Sequence, residues 1–198
     1  MVYRHPLRKP STQASKLLPY LFEPLVEQQL VTVFHVGPAL PDTVDFFSNY
    51  RCKLHFIDVF SELPLSANED STPTLVQQFE SLLRFPAHTF FDICLFWDLF
   101  NFLDSASVSA FLHALQPHLK DTSRAHAFAV HNVNAPQSSH LYGIMQRDTL
   151  SCRSRRAALP GYAPHRQGEL KELLHCFKFE RSVLLPDSRL ELLLHATL

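Results

Sequence analysis

Apolar residues fall along this chain in blocks whose period changes from one block to the next. Val31 to Val36 (VTVFHV) is almost unbroken, which predicts a parallel strand covered on both faces. Gly37 closes it, and Pro41 and Asp42 then suit the first turn of a helix that carries Val44 and Phe47 inward. Lys53 to Phe60 (KLHFIDVF) predicts a second strand. Phe90 to Phe100 (FFDICLFWDLF), with Asp98 at its carboxyl end, and Ala125 to Asn132 (AHAFAVHN) predict two more. Helical spacing separates them. Thr72 or Thr74 starts a helix carrying Leu75, Phe79, Leu82 and Leu83. Asp104 or Ser105 caps another carrying Val108, Phe111, Leu112, Leu115 and Leu119.

The ends and the middle read differently. Residues 1–14 have the composition of a flexible leader. Ser15 can cap a helix with Leu17, Leu18, Leu21, Phe22, Leu25 and Val26 on one face, which Pro19 and Pro24 make short, kinked or broken into two turns. Residues 133–165 form a long irregular insertion, of a length that implies either function or structure of its own. RQGELKELLHCF then reads as a helix, and KFERSVLLPDSRLELLLHA as two strands around a Pro-Asp-Ser turn. Strands alternating with helices predict an α/β fold: one doubly wound, mostly parallel sheet over residues 15–198, ending in a C-terminal antiparallel hairpin.

Composition narrows the function classes. The formal net charge is −1, so no global field draws in nucleic acid or an anionic membrane, and such partners need a local patch. No apolar run is long enough to span a bilayer, and the basic N-terminus has no apolar segment behind it to make a signal peptide. Four widely spaced cysteines without a CxxC read as reduced thiols in a cytoplasmic protein. Fourteen prolines against four glycines nearly exclude a glycine-rich phosphate loop. The 12 histidines show no HxxxH and no zinc spacing, so no metal is expected.

Two features of the carboxyl edge of the sheet are candidates for chemistry. His131 lies at the end of the Ala125–Asn132 strand, on the edge where open α/β sheets bind ligands. It is a candidate general base, with an exposed loop histidine as the alternative. Arg147, Arg153, Arg155 and Arg156 follow it. They are candidates for an anion site facing an acidic substrate, a nucleic acid or a partner protein, with a solvated basic loop as the alternative.

Three motifs, VFHVGPALPD, FIDVF and FDICLFWDLFNFLD, join the element order and the terminal hairpin in one resemblance. From Val31 to Leu198 the chain resembles the class I S-adenosylmethionine-dependent methyltransferase superfamily. The resemblance implies S-adenosylmethionine as cofactor and methyl transfer to an N or O of an unknown substrate. It puts His35 at the family's acidic position, Gly37 at its first loop glycine, and Ala39 and Pro41 where two further glycines belong. Asp58, about 20 residues after Gly37, matches the ribose-binding acid. Asp98, with Trp97 beside it, lies where the family approaches the methionine part and the reacting centre. Only a loop and one helix fit between Asp58 and Phe90, so the family's third-strand edge is missing or vestigial. Three changed loop positions leave a second reading open: a non-catalytic methyltransferase-fold protein, for interaction or regulation, that has lost its cofactor.

Overall fold

Prolines decide the first elements. The computed structural model describes residues 10–26, 29–65, 73–137, 139–155 and 157–198, except for the side chain of Val26. With Pro19 in its first turn, helix α1 runs only over Leu18–Leu21, and a 3-10 turn follows over Glu23–Val26. The apolar stripe predicted there is buried at Leu17, Leu18, Leu21, Phe22 and Leu25. The N-cap residue is Leu17, not the predicted Ser15, whose Oγ instead accepts the Leu18 N–H from two positions upstream of the cap at 2.9 Å.

Strand β2 is Val31–Val36, and helix α2 is Pro41–Phe47. Phe47 is buried as expected. Val44 is exposed, and Thr43 and Phe46 take the inward positions instead. Strand β3 is Cys52–Ile57, shorter than expected, because the chain turns into a 3-10 helix over Val59–Glu62. Helix α3, Leu75–Leu82, starts at Thr74 with a reciprocal capping box to Gln77; Thr72, the other predicted start, lies outside the described residues. Strand β4 is Ile93–Trp97, and helix α4 is Ser105–Leu115 with Asp104 accepting the Ser107 N–H at 2.8 Å. Strand β5 is Arg124–Val130, helix α5 is Gln167–Leu173, and the hairpin is β8, Phe177–Leu184, with β9, Arg189–Ala196.

The main sheet has the order β3-β2-β4-β5-β9-β8. β3, β2, β4 and β5 are parallel, and β9 and β8 antiparallel. β3 is an edge strand, so among the described residues no third strand lies beyond it, as expected. Helices α3, α4 and α5 cover one face through Phe79, Phe111, Leu112 and Leu170. No helix among the described residues is long and apolar enough to cross a membrane.

The insertion and the leader depart from expectation together. Residues 133–165 contain strands β6, His140–Gln146, and β7, Thr149–Ser154. Part of the predicted leader is strand β1, Ser11–Ala14, which pairs antiparallel with β7 from Ser11↔Cys152 to Ala14↔Thr149. Residues 1–9 lie outside the described set. This second sheet, β1-β7-β6, covers the other face of the main sheet with α1 and α2. Tyr142, Ile144, Leu150 and Cys152 join Phe22, Phe47, Trp97 and Phe128 in one apolar cluster. The N-terminus of α2 is keyed to it: Asp42 accepts from Ser151 Oγ at 2.5 Å and from Arg153 at 2.8 Å.

Candidate functional site

In an open α/β sheet the crevice opens where strand order reverses, here between the carboxyl ends of β2 and β4. Side chains alternate along β2, so Phe34 and Val36 face the α3–α4 side while Val33 and His35 face the second sheet. His35 is 2% exposed, and its Nε2 accepts the Trp97 indole Nε1–H at 3.1 Å. Burial lowers its pKa to about 4, so the ring is neutral and carries its proton on Nδ1, which has no hydrogen-bond partner.

Gly37 follows with φ +122°, a backbone that L side chains rarely adopt. Its N–H donates to the Ile57 carbonyl at 2.8 Å and is thereby committed to the sheet. Pro38 and Pro41 have no N–H, so Ala39 and Leu40 are left as the loop's remaining backbone donors. Ala39 is exposed.

On the other side of the crevice, β4 ends in Trp97 with φ +54°, where pairing with β5 slips by a residue. A left-handed backbone is uncommon for so bulky a residue. Here it belongs to a stack. The indole lies 5.3 Å from the Tyr142 ring at 20° and is held by His35. Asp98 comes next, 2% exposed, with neither carboxylate oxygen hydrogen-bonded. Burial raises its pKa to about 7, against the opposing pull of Arg155. Asp58, half-buried where β3 meets the 3-10 turn, also has one buried oxygen without a hydrogen-bond partner.

The insertion closes this crevice. Arg155, just past β7, lays its guanidinium over the Phe60 ring at 4.3 Å. Burial lowers its pKa, while Asp58 and Asp98 hold its charge. With His140, Leu141 and Tyr142 of β6 it lines a cavity shared with His35, Gly37 and Pro38. The cavity volume is about 10 Å³, room for about one water molecule. Tyr142 in turn accepts from Arg189 at 2.8 Å.

The predicted site residues are thus partly gathered. His35, Gly37, Trp97 and Arg155 line one cavity; Asp58 and Asp98 do not line it, but their charges act on Arg155. The other arginines do not converge on it. Arg147 donates to the Phe22 carbonyl at 3.2 Å, Arg153 pairs with Asp42, and Arg156 lies outside the described residues. His131 is exposed, with its N–H on the Ser188 carbonyl, and does not line the cavity. Tyr142 and His140 were not singled out from sequence. The available signal was the alternation of Tyr142, Ile144, Leu150 and Cys152 about the polar Gln146-Arg147-Asp148.

No protein-family model and no curated protein matches the chain. Solved structures do. An S-adenosylmethionine-dependent methyltransferase from Clostridium acetobutylicum ATCC 824 superposes with a TM-score of 0.52 at 13% identity, over 91% of each chain. A Sulfolobus solfataricus protein assigned to the type 11 methyltransferases gives 0.51 at 14% identity, over 94% of this chain and 95% of that one. A Nostoc punctiforme PCC 73102 protein assigned as an O-methyltransferase gives 0.52 at 10% identity, over 92% of this chain and 56% of that one. At such identities the likeness is one of fold.

The fold implies S-adenosylmethionine, and the residues at the crevice do not fit it as they are arranged. His35, at the position where the resemblance expects an acid, is a neutral, buried imidazole. The loop glycine's N–H is already bonded, and two prolines withhold theirs. The space has room for about one water, and the charges of the two acids already act on the Arg155 guanidinium.

Proposed function

We propose, for a chain with the class I S-adenosylmethionine-dependent methyltransferase fold, a role as a non-catalytic interaction or regulatory protein that has given up cofactor binding. The observation that carries this reading is Arg155. Its guanidinium lies on Phe60 within reach of the charges of Asp58 and Asp98, and the cavity it lines has room for about one water molecule. The proline-filled loop and the neutral His35 support the same reading.

A second reading is S-adenosylmethionine-dependent methyl transfer to an N or O of a substrate not yet known. It is favoured by the oxygens of Asp58 and Asp98 that have no hydrogen-bond partner. Buried acceptors are ordinarily paired, so such atoms are what a ligand with donor groups would satisfy.

Calorimetric titration with S-adenosylmethionine and with S-adenosylhomocysteine, beside the Asp58→Ala variant, separates the two. The first reading expects no binding heat from either ligand at concentrations well above a millimolar Kd, with the protein shown to be folded by circular dichroism. Micromolar binding that Asp58→Ala weakens would overturn it and establish the second.

A further inference from the structure

Arg155 is placed as a ligand is placed, and not as a structural ion pair is. A guanidinium that anchors a fold ordinarily meets carboxylates in short, paired hydrogen bonds. Arg153 does so with Asp42 at 2.8 Å, and Arg189 with Asp187 through Nε at 2.8 Å. Arg155 has no such bond to Asp58 or Asp98. Its Nε is buried without a hydrogen-bond partner, and so are one oxygen of Asp58 and both of Asp98. What holds it is the charge of the two acids and the face of Phe60.

The crevice under Arg155 is also built independently of it. The His35 ring is fixed by Trp97 and presents an unpartnered Nδ1 to the same cavity at 2% exposure. Tyr142 is fixed by Arg189 and by its stack on Trp97. Asp58 is placed by the 3-10 turn that begins beside it. Withdrawing Arg155 would leave the Asp58 carboxylate, the buried Asp98 carboxyl group and an aromatic face without the charge that now lies against them.

We propose that Arg155 is a displaceable internal occupant of this crevice, and that with the side chain withdrawn the crevice takes a small organic cation of the guanidinium or ammonium class between Asp58 and Asp98, over Phe60. This rests on the reading of the crevice as closed by the protein's own residues, and adds how it is closed. The recognition is electrostatic and stacking, with the unpaired acid oxygens free to accept from the N–H groups of the cation.

The test is thermal unfolding of the wild type, Arg155→Ala, Arg155→Lys and the double variant Arg155→Ala/Asp58→Asn. Each is measured with millimolar methylguanidinium chloride and with equal potassium chloride. The expected result is a saturable rise in Tm of about 3 °C or more in Arg155→Ala. The wild type and Arg155→Lys should show none beyond the salt control, and Asp58→Asn should abolish the rise. No rise in a folded Arg155→Ala, an equal rise in the wild type, or a rise that survives Asp58→Asn would overturn the proposal. If Arg155→Ala folds only with methylguanidinium present, the proposal is supported. If it folds with neither salt, Arg155 is structural and the proposal fails. Cofactor binding by the wild type decides the function reading, whereas the difference between the variants decides this one.

Discussion

The Trp97 indole N–H ends on Nε2 of His35, 3.1 Å away, and ties the carboxyl ends of two adjacent parallel strands together beneath the second sheet. That single bond assigns the imidazole tautomer, and burial keeps the ring neutral. It also turns a position that the fold family gives to an acid into part of the core.

His35 makes stability depend on pH. Its pKa is 6.5 when unfolded and about 4 when folded, so between those values the unfolded chain binds the extra proton. Stability is therefore retained above about pH 6.5 and falls as pH drops toward 4. The loss is on the order of 3 kcal/mol at most. Urea unfolding from pH 7.5 to 4.5 should show this slope, and His35→Gln, which keeps an acceptor for Trp97, should remove its share.

Asp98 acts with the opposite sign. Its pKa rises from 3.8 to about 7 on folding, so the folded chain binds the extra proton and stability declines as pH climbs through that window. Asp98→Asn is expected to leave stability unchanged near pH 4 and to raise it at pH 8, by at most about 4 kcal/mol. Equal effects at the two pH values would mean that Asp98 is ionised throughout.

Gly143 marks where the second sheet meets α2. A Cβ there would lie 2.5 Å from Ser151 Oγ and 3.2 Å from the Asp42 side chain. Gly143→Ala should cost about 1–3 kcal/mol in denaturant midpoint, the cost of overpacking. Ser151→Ala should reduce that cost when combined with it, since it removes the nearest atom.

Glu191 is wholly buried on β9 and holds four groups at once. It pairs with His126 Nε2 at 2.9 Å, accepts the Lys16 N–H at 2.9 Å and the Leu17 N–H at 3.4 Å, and accepts the Ser15 hydroxyl. Burial raises its pKa, but these donors outweigh burial and hold it below the ordinary carboxylate value. Glu191→Ala removes the acceptor of all four and should destabilise by about 3–5 kcal/mol. Glu191→Gln, which keeps an acceptor, should cost less. Chemical denaturation of both variants checks the order.

Much of the main sheet was legible because its signals are local. β2 is an apolar run closed by a glycine, and Thr74 and Asp104 carry their caps in the adjoining sequence. The proline break at the N-terminus was equally local. What sequence left out was set by distant partners. Ser11–Ala14 is polar and becomes a strand only because β7 lies beside it. Val44 fell outside because α2 presents Thr43 and Phe46 to β6 and α1. The four arginines read as one basic loop, yet the strand pairing of β7 sends Arg153 and Arg155 to different partners.

The pairing of Ser11 with Cys152 spans 141 residues of chain. Such a contact is closed late, because the intervening loop must be ordered before the pairing stabilises anything. During synthesis at ~5–20 residues per second, Ser11–Ala14 would wait on the order of ten seconds for its partner strand to be made. The apolar face of the main sheet, with Trp97 and Phe128, would also wait for its cover, for the shorter time that separates those residues from β7. For this chain the hazardous interval is one of timing, and a protein that binds exposed sheet faces would be needed before residue 154 emerges more than at any later point.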